Sequence, residues 1–556
     1  MKITLKKIMG AALMSLAVVA CNPTKMAKNA NLVTSECNPQ VLEAVAGQIH
    51  ATYSLNFPEK YFLPKAIMEV KPVLVYQGGE AVGETFTLQG EKITENNTSV
   101  PYQAGAKVSR NVVFKYVSGM EKAHLELRVT VFNKTKTKSY KYPEAIKIAD
   151  GTNTTYMLVK TKGDVAYERD NYQKVIKESK EAQILYTIDN ATVRRSQLTS
   201  QEIKDFKAFL EKTENDPRRT ITSNDIVAYA SPDGPETLNA NLSVKRGKTA
   251  EKAFSKTINK NKKKVVTSAP VNVKNISEDW EGFQELVSKS NIEDKDLILR
   301  VLSMYSDPAV REKEIKNMSS VYKTLAKKVL PELRRARFIA NINYKNYTNT
   351  ELKEMVKNGN IENLDEEALL YAAKIEKDKN VKASLYKKAA SKFNSSRASE
   401  NLAALYLTEN KISEAKKALS AVSEKNDIYY NNLGVAEMKS GKLEEASAAF
   451  AKSNLRQARY NQGAIEVLHG NYTKALSDLS GAHSFNEALA NILVKNENKA
   501  AKILGKAACP CKSYLKAIIA ARAGDSAAVK ANLKIASKEK RLADRQKNDI
   551  EFAKIK

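Results

Sequence analysis

The sequence predicts a multidomain chain in three parts: an N-terminal β-sandwich, a central α/β domain and a C-terminal α-solenoid of paired helices. Three observations carry this. Residues 38–175 alternate apolar and polar side chains with period two. Residues 176–348 read strand, helix, strand, helix, strand. In residues 349–556 the alanines Ala415, Ala446 and Ala475 recur at intervals of 31 and 29, each beside a turn.

Composition narrows the function before any motif does. The chain has 556 residues, 42% of them hydrophobic, and a formal charge of +28. That hydrophobic content is globular rather than disordered, and the excess of Lys and Arg favours anionic surroundings. Four histidines (50, 124, 469, 483) and four cysteines (21, 37, 509, 511) are present. The sequence carries no zinc-protease, serine-hydrolase or phosphate-loop motif. The expectation is a protein without catalysis, cofactor or metal.

Residues 1–20 order as a signal segment. Lys2, Lys6 and Lys7 precede the apolar run Ile8–Ala20, which is shorter than the ~20 residues a spanning helix needs. The run ends Leu16-Ala17-Val18-Val19-Ala20-Cys21, which resembles the bacterial lipobox. That resemblance implies acylation of Cys21 and cleavage before it. Several acyl chains at ~0.8 kcal/mol per buried CH₂ anchor stably. The basic flank, with Lys25 and Lys28, is unlike the acidic flank of surface-exported Bacteroidota lipoproteins. A location on the periplasmic side of the outer membrane is therefore expected. Residues 21–37, short and polar, read as a tether.

In the sandwich region Leu125, Leu127, Val129 and Val131 share one face of a strand, while Glu126, Arg128 and Thr130 share the other. Val112–Val117 and Leu125–Phe132, separated by Ser118-Gly119-Met120-Glu121, predict a hairpin.

In the central region strands are expected at 184–188, 226–229, 265–273 and 337–344. Thr199 and Glu202 predict a capping box. A second helix is expected from about Asn241 to Ile258, and the stretch 278–330 reads as a helical insert. The sequence Ala230-Ser231-Pro232-Asp233-Gly234, with Asn239, Asn241-Leu242-Ser243 and Arg246, resembles the C-terminal domain of OmpA-like proteins. In that family an Asp and an Arg bind the diaminopimelate peptide of peptidoglycan. The resemblance places Arg246 on the family's Arg, Gly234 on its Gly and Asn239 on its Asn. The family's Asp falls on Ser231, with Asp233 the nearest carboxylate. Arg334-Arg335 match a basic pair before the last strand. A guanidinium suits a ligand carboxylate and an acid suits its amine, so the candidate site is Ser231, Asp233, Asn239 and Arg246. Trp280, with Leu330-Pro331-Glu332-Leu333, resembles a Bacteroidota form of the domain and reads as a core aromatic.

The C-terminal region resembles the tetratricopeptide family. Asn432-Leu433-Gly434 and Asn461-Gln462-Gly463 precede the alanine-bearing helices, and Asn410-Lys411, Gly441-Lys442 and Gly470-Asn471 form the turns. Such repeats stack, and the stack offers a concave surface to an extended peptide or a helix. Cys509-Pro510-Cys511 reads as small packing residues, because two ligands do not hold zinc and a bridge over one residue is strained. The run Lys260–Lys264 has no aromatic to stack on bases, so no nucleic acid is expected. Asp525-Ser526-Ala527 resembles the short O-glycosylation motif of Bacteroidota proteins.

Together these readings predict an outer-membrane lipoprotein scaffold that links peptidoglycan, or its acidic peptides, to a protein partner held by the repeats. The alternative is a docking or assembly factor for an outer-membrane or fimbrial complex, without peptidoglycan binding.

Overall fold

Alternation of apolar and polar residues commits much of residues 38–153 to strands, and a computed structural model of the chain shows which pair. It describes residues 23–261, 264–292 and 294–555. The expected signal segment 1–20 and Cys21 lie outside the described residues. Two compact units emerge: Met1–Arg169 with Ala390–Lys556, and Asp170–Ala389.

Among its described residues the first unit holds eleven strands: β1 (Thr34–Asn38), β2 (Val41–Val45), β3 (Gln48–Phe57), β4 (Ala66–Tyr76), β5 (Gly79–Val82), β6 (Phe86–Gly90), β7 (Thr98–Val100), β8 (Ala106–Lys115), β9 (His124–Asn133), β10 (Ser139–Lys141) and β11 (Ile146–Asn153). β3 is flanked by β8 and by β1 with the end of β2. A second set runs β2–β11–β9–β4–β6–β7, so β2 joins both. The two layers face each other: Tyr53 of β3 lies 6.2 Å from Phe86 of β6. In β9 Leu125, Leu127, Val129 and Val131 are buried, as the alternation predicts.

Two expectations change. The hairpin across Ser118–Glu121 does not form, because β8 pairs with β3 and β9 pairs with β4 and β11. Gly119 (φ 100°) and a short turn, Met120–Lys122, carry the chain from one layer to the other, with Met120 buried between. The tether reading also gives way. Thr24–Lys28 is helical, Thr34–Asn38 lies along β3, and Met26, Ala27, Val33 and Cys37 enter the core. The Tyr61 hydroxyl donates to the Met26 carbonyl at 2.8 Å. Four apolar side chains spaced through a polar stretch suffice to dock it.

The helical part of this unit is a stack of helix pairs of tetratricopeptide form. The pairs are Ser396–Thr408 with Ile412–Ser420, Asp427–Lys439 with Leu443–Phe450, Arg456–Leu468 with Tyr472–Leu479, Phe485–Leu493 with Glu497–Leu504, and Pro510–Arg522 with Ser526–Ala536. Ala415, Ala446, Ala475 and Ala500 are fully buried in the second helices. Gly434 packs against the Phe450 ring, where a Cβ would lie 2.5 Å from ring carbons. Small residues here set the helix spacing.

Layers and stack share a core. Leu74 and Leu125 belong to the same buried cluster as Val467, Leu489, Tyr514 and Phe552. Val45 packs on Gly470, and Ile550 on Gly151. Asn153 Nδ2 and Thr155 Oγ1 donate to Glu551 at 2.9 and 3.0 Å. The sandwich and the repeats from 390 onward are therefore parts of one body, where the sequence suggested separate domains.

The second unit is built on a four-stranded sheet of β12 (Val175–Leu185), β13 (Arg219–Tyr229), β16 (Val271–Ile276) and β17 (Arg335–Lys345), after a two-residue ribbon β14 (Lys260–Asn261) and β15 (Lys264–Val265). The order is β12–β17–β13–β16, with only β13 and β16 parallel. Phe206 and Leu210 of the helix Gln201–Glu214, and Ala250 of Glu236–Ala253, cover it with Phe254. The first of these helices is capped by Ser200, which accepts from Ile203 N at 3.3 Å. The Thr199–Glu202 box is not formed, because Glu202 accepts the Gln183 amide instead. Residues 278–330 are helical, as read from the sequence, and form several short helices around Phe283, Ile298, Ile315 and Leu325. Asn349–Lys357 and Glu366–Ile375, expected with the repeats, belong to this unit, where Tyr172 stacks on Tyr371 at 4.6 Å.

No helix of the described residues is long and apolar enough to cross a membrane.

Candidate functional site

β13 ends at Tyr229, the chain turns through Ala230–Pro235, and the helix Glu236–Ala253 leads away. The turn and the helix wall a cleft of about 590 Å³ lined by Asp189, Ser231, Asp233, Asn239, Arg246 and Arg334, among others. All four candidate residues from the sequence meet here.

Arg246 forms the floor and is 0% exposed. Its Nε donates to the Asn190 carbonyl (3.0 Å), Nη1 to Tyr229 (2.9 Å) and Nη2 to Thr187 (3.2 Å). The guanidinium sits 5.1 Å from the Tyr186 ring centroid. Burial pushes its pKa down to about 10. Among the described residues no carboxylate lies within ion-pairing distance of it. Three of its five N–H groups end on carbonyls, leaving one each on Nη1 and Nη2.

The sequence put Arg246 near a helix start. The helix instead begins at Glu236, so Arg246 lies well inside it, away from the free amides. Pro235 and Glu236 extend it forward, since a proline is tolerated ahead of a first turn and an acid favours it.

Asp233, the carboxylate of the turn, is already engaged. Asp233 pairs with Arg334 Nη2 at 2.8 Å and accepts from the Ser231 hydroxyl. Asn239 Nδ2 donates to the Gly234 carbonyl (2.8 Å), fixing the turn against the helix. The neighbouring Arg335 makes a buried pair with Asp279 at 2.8 Å.

A second arrangement lies in the first unit. Residues 160–168 run extended across the first helices of successive pairs. Four asparagines clasp this segment by its main chain. Lys160 N donates to Asn486 Oδ1 and Asn486 Nδ2 returns to Lys160 O (2.9 and 2.8 Å). Asn461 does the same for Asp164 (2.7 and 3.0 Å), Asn432 for Ala166 (2.9 and 2.8 Å) and Asn401 for Glu168 (2.6 and 3.2 Å). Asn401, Asn432 and Asn461 are each the sixth residue of their helix. Gly163 (φ +75°) lets the segment pass Val435 and Met438, which a Cβ would strike at 2.7 and 3.0 Å. The surface expected to receive an extended peptide thus holds the chain's own. A signal existed in the sequence: these asparagines recur at the alanines' intervals of 31 and 29.

At the far end of that segment, Cys509 is exposed and Cys511 partly so. They are not core packing residues, because Cys509 precedes the helix Pro510–Arg522 in a loop open to solvent. Among the described residues no group of three or more His, Cys, Asp or Glu could hold a metal.

No protein-family model matches the chain, and no curated protein matches it. Among solved structures, a tetratricopeptide repeat protein from Parabacteroides merdae is similar, at 13% identity, over 43% of this chain and 99% of that one, with a TM-score of 0.29. The Cut9–Hcn1 hetero-tetramer of the APC/C aligns at 13% identity over 63% of this chain and 81% of that one (TM-score 0.30). Native alpha-2-macroglobulin from Escherichia coli aligns at 10% over 85% and 66% (TM-score 0.14).

Proposed function

We propose that the chain is a non-enzymatic scaffold of the bacterial envelope whose cleft takes a carboxylate-bearing peptide of the peptidoglycan stem type. Cys21 supplies the lipid anchor in the outer membrane, on its periplasmic side, and the helical stack engages a protein partner. The observation that supports this is Arg246. A guanidinium buried without a counter-carboxylate is expensive, and carbonyl dipoles offset the cost only in part. Its two spare N–H groups match a ligand carboxylate, which reaches the fully buried guanidinium when the side chains over the cleft floor part. The OmpA-like resemblance of residues 230–246 points to the same chemistry. Because the asparagine row is filled by residues 160–168, the partner uses another surface of the stack. One is a cleft of about 390 Å³ beside Arg459, Gln462, Lys474 and Asp478.

The alternative, a docking module without wall binding, is supported by the pairing of Asp233 with Arg334, which engages the carboxylate nearest the motif position of Ser231. Co-sedimentation with purified peptidoglycan separates the two. The parent chain should pellet, Arg246→Ala should not, and Lys245→Glu at the rim, which leaves the buried network intact, should pellet less. A parent that stays in the supernatant favours the docking module. Equal pelleting of all three proteins removes the cleft as the site.

A further inference from the structure

Cys509 and Cys511 stand apart from both arrangements above. Their sulfurs are 3.5 Å apart in two free thiols. Bonded sulfurs lie ~2.05 Å apart, so the pair stands close to bridging distance, although a bridge over one residue carries strain. Cys509 is exposed at the residue before the helix Pro510–Arg522, with its carbonyl accepting the Ser513 amide at 2.9 Å. Lys160 brings a cation to the pair. Its main chain is clasped by Asn486, and its Nζ donates to Cys511 Sγ at 3.1 Å while lying 4.4 Å from the Phe485 ring centroid. Partial burial raises the Cys509 thiol. The Lys512 amide, the Cys511 thiol and the charges of Lys160 and Lys512 outweigh it and hold the group below its ordinary value.

We propose that Cys509 and Cys511 form a redox-active dithiol that reduces a dialkyl disulfide, with Cys509 attacking and Cys511 resolving. The Cys509 thiolate attacks one sulfur of the substrate, the substrate S–S bond breaks, and one thiolate leaves and takes up a proton. The Cys511 thiol gives up its proton and attacks Cys509 Sγ, expelling the second substrate thiol. Two electrons pass from the pair to the substrate, two thiols are released, and a Cys509–Cys511 bridge remains. Exposure favours Cys509 as the attacking group, and the contact from Lys160 Nζ holds the Cys511 sulfur beside it.

Peptide mapping by mass spectrometry of the full chain, after incubation with oxidised glutathione and acid trapping, tests this. The peptide holding both cysteines should lose two hydrogen masses with no retained glutathione. Cys511→Ser should accumulate one glutathione adduct on Cys509. Cys509→Ser should react several-fold more slowly, as should Lys160→Met for bridge formation. A parent peptide that remains a dithiol, or that carries two stable adducts, overturns the proposal. Equal rates for the two single-cysteine variants overturn the assignment of the attacking sulfur.

Discussion

Burying an ionisable side chain sets its protonation, and Glu400 shows the consequence. It is fully buried beneath the clasped segment. Asn426 Nδ2 donates to Glu168 at 2.6 Å and more weakly to Glu400 at 3.5 Å. Burial, reinforced by the Glu168 carboxylate beside it, pushes the Glu400 carboxyl up to about 8. The folded state thus prefers the neutral acid. Its stabilising contribution is complete below the ordinary value of 4.5 and is lost as pH rises through about 8. The thermal midpoint of the parent should fall across that window, and Glu400→Gln, which is always neutral, should flatten the fall. Parallel slopes in the two proteins would show that Glu400 stays ionised in the fold.

At the scale of the element, the clasped segment is held by paired hydrogen bonds to its backbone. Each asparagine makes two hydrogen bonds to one residue, at a net ~0.5–1.5 kcal/mol per bond. Asn432→Ala should therefore cost about 1–3 kcal/mol, and most of that loss should appear locally. Hydrogen exchange at the Ala166 amide should accelerate while exchange in β9 is unchanged. Uniform acceleration would mean that the segment opens only with the whole unit. The sequence reveals elements well where one periodicity persists: β9, β17 and the alanine-bearing helices follow from spacing alone. It misleads where a long-range pairing decides. Gly119 reads as a hairpin turn, yet β8 and β9 each find a better partner in a different layer. Of the cleft, Ser231, Asp233, Asn239 and Arg246 were readable from motif order. Tyr186 and the carbonyls of Thr187 and Asn190 were not, because no spacing rule links them to Arg246 across more than 50 residues. The asparagine row was visible as a repeat, but its ligand lies far upstream.

For the whole molecule, the continuous core of the first unit predicts joint unfolding. Tyr514 donates to Asp549 at 2.7 Å, and Arg522 pairs with Glu551 at 2.6 Å, so the last residues tie the stack to the strands. Glu551 also receives Asn153 and Thr155. Deleting 540–556 uncovers apolar side chains on both parts, including those around Ile550 and Phe552. Calorimetry of the parent should show the strands and the stack melting in one transition. The truncated chain should melt many degrees lower, with the two parts separated. An unchanged midpoint would show that the shared core contributes little.

That closure between residues 153 and 551 imposes an order on events when the chain is made. At ~5–20 residues per second, roughly 20–80 s separate the appearance of β11 from that of the tail that seals it. Through that interval the newborn sheet presents a greasy flank to its surroundings. A holding chaperone, or delay of the whole folding reaction until the last turn has emerged, is the natural safeguard against clumping.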